Sequence, residues 1–432
     1  MKENTRKGLV SFAALTLTAL FCGLLIFLFQ YLTELIGEFL DIVFEADALN
    51  ICLYALGIII LSFAEYWLLK GPFFKGEVYS IRTLVNKDIH IHWIRAFVKM
   101  FIACLITFMI GIPLGGEGPS VFLCALLAEG IFSICNDKKE DLEGISMGGS
   151  VGFSLAFLNP LAGFSYWYEP MKSKPRGIRI VKDLYMILLS FGVLVLMRFV
   201  TGIEEPYLFS LYNEDLTYFS ADNAGLIFLI PFLAFVLAIV FKQSVKSLNS
   251  LVLNDKKRWA FLSTVMAVVV VLCLKFTGQN ELLGAGSKLI YDLFSLEDLV
   301  FVLAVRYLAT ALAFDSFYAG GQVIPTISLG YLFGNLVICL LPSSSMTDAE
   351  AQLFCILFAL CFFSFCAERY WTTVFVGMSF GPVWIVSLYM LVLLPLNWFL
   401  GKKMGTNESL ATIAHNKHFQ NPFGKRRKGV KA

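Results

Sequence analysis

The sequence predicts an all-α polytopic membrane protein. Three observations carry this: too little charge for an aqueous surface, a succession of apolar runs of helical length, and glycine and proline breaks inside several of those runs. Of 432 residues, 58% are hydrophobic and 15% charged, less charge than a soluble globular surface of this size requires. Forty-two phenylalanines agree. No polar stretch is long enough for a separate soluble domain. The chain reads as a single integral membrane domain over 1–400, with halves at about 1–202 and 223–400, and a short basic tail over 401–432.

Apolar runs fall at 9–36, 51–69, 95–114, 119–135, 146–168, 181–201, 224–241, 260–276, 299–314, 323–341, 351–366 and 372–400. The first, Leu9 to Tyr31, lacks a small-residue cleavage site and exceeds a signal-peptide core, so it reads as a spanning helix. Between the runs, Lys and Arg gather in four places: Lys2, Arg6 and Lys7; Lys172, Lys174, Arg176, Arg179 and Lys182; Lys242, Lys246, Lys256, Lys257 and Arg258; and Lys425 to Lys428. The positive-inside rule puts these in the cytoplasm. Glu204, Glu205, Glu214, Asp215 and Asp222 then lie outside, and both termini of a multi-pass plasma-membrane protein are cytoplasmic.

The cysteines, among them Cys22, Cys104, Cys273 and Cys361, lack metal or disulfide spacing and read as small buried residues. His90 and His92 lie beside Trp93 without a third ligand, which fits an interfacial loop better than a metal site. Neither a metal nor another cofactor is expected, and nothing suggests nucleic acid as a partner.

Several runs are shorter than the roughly 20 residues of a full span. Irregular backbone at membrane depth is tolerated only where protein buries it or an aqueous pathway touches it. The breaks at Gly111–Pro119, Gly284–Gly286 and Ala319–Pro325 therefore mark helix ends inside the bilayer. The first and third occupy comparable places in the two halves, each a Gly-Gly pair followed by Pro and a new apolar run, as inverted repeats meeting at a midplane site require. Pro119 and Pro325 suit a first helical turn, where the missing N–H costs nothing. A further correspondence pairs Asn159–Gly163 with Glu368–Thr372.

A helix N-terminus offers unpaired N–H groups and about half a positive charge, which attracts anions without the hold of a full cation. Gly115, Gly116 and Gly118 surround the one carboxylate of the first break, Glu117. An ionisable group at that depth costs several kcal/mol unless paired, wet or protonated. Its carboxylate competes for the N–H nest that would hold a permeating anion, and protonation or an arriving anion releases it. The alternative is a capping glutamate near an interface with no part in transport.

These residues resemble the CLC family of chloride channels and proton-coupled chloride transporters. Gly115-Gly116-Glu117-Gly118-Pro119 is similar to the family's G-[KR]-E-G-P, with Glu117 on the gating glutamate. Ala319-Gly320-Gly321-Gln322-Val323-Ile324-Pro325 is similar to G-G-x-F-x-P, whose backbone N–H groups bind the central anion, which implies anion-binding roles for Gln322, Val323 and Ile324. Phe157–Gly163 is similar to F-N-A-P-L-A-G. The resemblance implies a CLC-type inverted repeat of two antiparallel halves with short, broken and re-entrant helices. It also implies a homodimer with one pore per subunit, without the paired cytoplasmic regulatory domains of some relatives.

The departures are specific. Gly116 replaces the basic residue before the glutamate, and Val323 the aromatic of the central site. The family's G-S-G-I-P is not found; matching spacing lands on Phe74–Val78, where Lys75 would substitute a charge for a hydroxyl as an anion ligand, unless Gly71-Pro72 sets a different register and leaves Lys75 and Glu77 facing the cytoplasm. The internal proton-relaying glutamate falls on Pro170, so Glu169 becomes the candidate relay, and passive conduction is favoured over proton coupling. The inner-gate tyrosine has only Ser409 near its place.

The expected activity is transport of small anions, chloride first, through a pore gated by Glu117, with protons as a possible second substrate. A proton-coupled fluoride or chloride antiporter is the alternative within the family. A transport-inactive scaffold or a membrane-embedded enzyme is the alternative from another class; retention of all three breaks argues against the scaffold, and the lack of convergent catalytic groups against the enzyme.

Overall fold

Most of the apolar runs become helices with ends close to those of the runs. The computed structural model describes residues 3–44, 48–69, 93–135, 141–169, 177–202, 213–250, 255–276, 282–314, 316, 318–341, 346–404 and 409–410. In the first half these form α1 (Glu3–Phe44), α2 (Ala48–Leu69), α3 (Trp93–Ile110), α4 (Glu117–Cys135), α5 (Asp141–Ala156), α6 (Pro160–Tyr168) and α7 (Gly177–Thr201). In the second half a 3₁₀ turn (Ala224–Phe228) leads into α8 (Leu229–Ser250), followed by α9 (Asp255–Phe276), α10 (Leu296–Phe314), α11 (Val323–Leu340), α12 (Asp348–Ala367), α13 (Tyr370–Val376) and α14 (Val383–Phe399). Nine helical segments among the described residues are long and apolar enough to cross a bilayer, and the chain is a multi-pass membrane protein. The apolar part of α1, 33 residues, is about 50 Å long at 1.5 Å per residue and must tilt within a hydrocarbon layer of roughly 30 Å.

Two runs that read as continuous are divided. The run at 146–168 stops after α5 because Leu158 takes φ +49° and Asn159 caps α6, accepting from the N–H of Leu161 and Ala162 with Pro160 in the first turn. The run at 372–400 is interrupted after α13 by a 3₁₀ turn (Gly377–Ser379) and by Pro382, which precedes α14. Two of the basic clusters read as loops extend into helices. Arg179 and Lys182 belong to α7, and Lys242 and Lys246 to α8, while Lys256 to Arg258 begin α9. Lys242 is 6% exposed, donates to the Phe365 carbonyl at 3.2 Å and pairs with Glu368 at 3.7 Å. Helical periodicity carried these cations past the apparent ends of the apolar runs.

The heaviest packing follows the repeat: α4 against α5 in the first half, α11 against α12 in the second. Small residues let both pairs approach closely, the usual device where lipid supplies no hydrophobic drive between helices. A Cβ on Gly152 would meet the Ser120 carbonyl oxygen at 2.3 Å, and one on Gly330 the Ala359 Cα at 2.8 Å. Because backbone atoms cannot yield as a side-chain end can, Gly152→Val should cost at least ~2 kcal/mol by overpacking. The expected result is loss of the folded, monodisperse species on size-exclusion chromatography in detergent, whereas Gly192→Ala, where a Cβ meets nothing within 4 Å, leaves it intact.

Candidate functional site

The first and third breaks meet. The N–H of Gly115 donates to the Gly321 carbonyl at 2.8 Å, and the N–H of Gly321 to the Gly115 carbonyl at 2.6 Å, a two-bond antiparallel bridge between the halves. Each glycine stands two residues before a helix, α4 beginning at Glu117 and α11 at Val323, with Pro119 and Pro325 both third in their helices. The approach excludes side chains: a Cβ on Gly321 would stand 2.4 Å from Glu117 Oε1 and 2.6 Å from the Gly118 nitrogen, and one on Gly320 2.3 Å from Leu114 Cβ.

The Glu117 side chain crosses from its own helix to the N-terminus of the partner helix. It is 1% exposed, and Oε1 accepts from the N–H of Val323 at 2.6 Å and of Ile324 at 3.2 Å. A carboxylate thus occupies the first turn of α11, where unpaired N–H groups and the positive helix end favour an anion. Gln322 caps that helix through its backbone, its carbonyl accepting from the Thr326 N–H and hydroxyl. The Gly115 N–H is taken by Gly321, the Gly116 carbonyl receives the Ser120 N–H and hydroxyl, and Gly118 lies within the first turn of α4. Lys75, Glu77, His90, His92, Pro170 and Asp315 lie outside the described residues.

The second break is tied to the same centre. The Gly284 N–H donates to the Gly111 carbonyl at 2.9 Å. Arg306 on α10, 0% exposed, donates to the carbonyls of Leu282 at 3.1 Å, Gly284 at 2.7 Å and Ala285, and to Ser328 Oγ on α11 at 3.3 Å. A buried guanidinium thereby satisfies carbonyls that irregular backbone leaves without helical partners. It was not singled out from the sequence, where its isolation in an apolar run was the available signal.

Glu169 follows the last turn of α6 and caps α13. Its carboxylate accepts from the N–H of Tyr370 at 2.6 Å, Trp371 at 2.9 Å and Thr372 at 3.0 Å, and from the Thr372 hydroxyl at 2.7 Å. At the other end of the pair, Asn159 Nδ2 donates to the Phe375 carbonyl at 2.7 Å. The two short helices are antiparallel and cap each other. The left-handed Leu158 and Glu368 (φ +49° and +56°) precede them at equivalent places, so the correspondence aligns Asn159 with Arg369, one residue along from the pairing read in the sequence. Four donors on one carboxylate favour a capping role for Glu169.

A second wholly buried carboxylate near the bridge was missed. Glu65 on α2 is 0% exposed; Oε1 accepts from Thr107 Oγ1 on α3 at 2.8 Å and from the Ala319 N–H at 3.0 Å, and Oε2 makes no hydrogen bond. A lone acid inside the run 51–69 was a visible signal, since ionisable groups at such depth are rarely incidental.

This arrangement, a carboxylate from one half seated on a helix N-terminus of the other at a glycine bridge, defines a membrane protein of two structurally related halves that meet at their broken helices. A family model described as voltage gated chloride channel matches residues 66–394, and the chain belongs to that family, the CLC proteins. The H+/Cl− exchange transporter ClcA of Vibrio campbellii is 26% identical over 287 residues, covering 63% of this chain and 60% of the relative. ClcA of Vibrio parahaemolyticus is 25% identical over 288 residues, with 64% and 60% covered. The chain thus matches about 60% of the length of these relatives. Among solved structures, a slow cyanobacterial Cl−/H+ antiporter superposes with a TM-score of 0.79 at 15% identity, covering 95% of this chain and 98% of that one. A CLC-type fluoride/proton antiporter gives 0.67 at 17%, covering 93% and 98%. The fold is that of the CLC proteins.

If Glu169 is a cap, Glu169→Ala exposes three helix-end donors and costs about 1–3 kcal/mol, read as a lower thermal unfolding midpoint in detergent. Glu169→Gln keeps an acceptor and is expected to recover at least half of that loss.

Proposed function

We propose that this chain transports small anions, chloride first, across the plasma membrane, and that Glu117 is the gate of its pathway. The observation that carries the proposal is the seating of the Glu117 carboxylate on the N–H groups of Val323 and Ile324. An anion bound there would meet the same donors, so carboxylate and anion compete for one place. Two N–H groups and a partial helix charge hold an ion without the full cation that would trap it, and conduction requires binding weak enough to leave. Protonation of Glu117 removes the competing charge. Flux should therefore rise as pH falls through the range in which Glu117 takes up its proton. The roles of Gly115, Gly116, Gly118, Gln322 and Lys75 toward the anion belong to this proposal, as do cytoplasmic termini and assembly as a homodimer. The exposed Leu161 on α6 and Trp371 on α13 suit a subunit contact along that pair of helices.

Pro170, standing where the family's coupled members carry a relaying glutamate, supports passive conduction as one reading of the mode of transport. Exchange with protons is the second reading, and the buried Glu65 favours it.

The test is flux from proteoliposomes of the purified chain, with chloride and fluoride compared at several pH values. Release of chloride by the wild-type chain, rising at low pH, supports the proposal, and release of neither anion overturns it. In Glu117→Gln and Glu117→Ala, flux is expected to lose its pH dependence. A variant whose pH profile matches the wild type would return Glu117 to a capping role.

A further inference from the structure

Glu65 presents an unusual balance of contacts. Its carboxylate is 0% exposed within a helix that spans the membrane, yet no Lys or Arg among the described residues pairs with it, and its contacts are one hydroxyl and one backbone N–H, both on Oε1. Oε2 is buried without a hydrogen bond. A carboxylate left ionised under these conditions carries a desolvation cost of several kcal/mol that one neutral hydroxyl and one amide do not offset. A proton on the carboxyl group removes that cost.

Among the described residues, buried hydroxyls lie near Glu65. Ser62 lies three residues earlier on α2, on the same helical face, beside the buried Tyr318 hydroxyl, which meets Ser263 Oγ on α9 at 3.2 Å. Among the described residues, the titratable groups facing Glu65 are Cys104 from α3 and Tyr318 from the segment before α11. From α9 come the uncharged Trp259 and Ser263, and α1 packs Phe29 in the apolar cluster that holds Leu69. None of these is a permanent charge.

Glu65 is also joined to the site of Glu117 by backbone. It accepts from Ala319; Gly321, two residues on, makes the bridge to Gly115; Val323 and Ile324 then hold Glu117. Two carboxylates from the first half grip opposite ends of one six-residue segment, 319–324, of the second.

We propose that Glu65 is a proton-binding site of the transport cycle, taking up and releasing a proton at its carboxyl group as Glu117 leaves and regains α11. This rests on the anion-transport proposal and deepens it: anion movement is coupled to protons, and Glu65 supplies the second carboxyl group that position 170 lacks. The proton comes from and returns to water. When Glu65 loses it, the carboxylate draws more strongly on the Ala319 N–H; when it regains it, that hold weakens. The segment that seats Glu117 therefore responds to the protonation of Glu65.

The experiment uses the full chain in proteoliposomes under an imposed chloride gradient, with chloride followed by electrode and protons by a pH-sensitive dye. Wild type is expected to drive protons uphill. In Glu65→Gln, which keeps an acceptor for Ala319 and Thr107, protons moved per chloride should fall at least tenfold. In Thr107→Val, which keeps the carboxyl group and removes a donor to its ionised form, the pH of half-maximal proton movement should shift upward. A wild-type proton-to-chloride ratio in Glu65→Gln overturns the inference. Should Glu65→Gln fail to elute as folded protein, an unshifted Thr107→Val profile overturns it instead. Chloride flux in wild type with no proton movement sinks Glu65 but leaves anion transport standing, whereas absence of any anion flux sinks both.

Discussion

The structure depends on one contact, the Glu117 carboxylate resting on the first amides of a helix from the other half of the chain. Its strength is set by opposing terms of similar size. Burying an ionised carboxylate costs several kcal/mol. Two hydrogen bonds to the charged group return about 1.5–3 kcal/mol each, and the helix end up to ~2 kcal/mol in partly buried geometry. In the proposed gate, this near balance is what lets a proton or a competing anion decide where the side chain lies. A lysine in place of the amides would break that balance toward permanent capture. The glycine bridge is the geometric condition for the contact, because any side chain at Gly321 would occupy the space of the carboxylate itself. The tight α4–α5 and α11–α12 pairs keep the two broken ends in register.

Much of this was legible in the sequence because it is written in residues with few alternative explanations. Glycine pairs before a proline inside an apolar run have little reason to exist in lipid unless a helix begins there, and both breaks proved to be helix starts meeting across the repeat. The symmetry of Pro119 and Pro325 was readable for the same reason. Division of the run at 146–168 was signalled by Asn159-Pro160, a cap followed by a first-turn proline, but the unbroken hydrophobicity around it masked the signal. Hydrophobicity reports depth in the membrane, not continuity of the backbone.

What was not legible concerns side chains that act across long sequence distances. Glu169 was noticed for its place beside Pro170, yet its partners lie about 200 residues away on α13, and no local pattern announces a carboxylate that caps a helix of the other half. Lys242 looked like a loop cation because it ends an apolar run; its burial follows from Glu368 and the Phe365 carbonyl on α12. Arg306 and Glu65 were visible as isolated charges in apolar runs, and rarity alone was the clue. Only the fold tells them apart: Arg306 is surrounded by carbonyls that need a donor, whereas Glu65 is given a single amide and a single hydroxyl.

Three carboxylates of the first half use the same chemistry at the repeat interface, accepting from backbone N–H groups of the second, and the number of those backbone donors separates them. Glu169 has three, with the Thr372 hydroxyl besides, and its helix ends at the place where it binds, so releasing it would uncover an entire helix start. Glu117 is held by two amides of the helix whose first turn is the proposed place of the anion. Glu65 has one amide and the Thr107 hydroxyl, with an oxygen left over. A group is free to change its charge during a cycle only where the charged state is not over-determined by its surroundings. By that measure the contacts of Glu169 suit a scaffold, those of Glu117 the proposed exchange with an anion, and those of Glu65 the proposed exchange with a proton. Glu117 and Glu65 hold the two ends of segment 319–324, and at most five peptide bonds separate the amides they bind, which makes this backbone the shortest link between the two proposed sites.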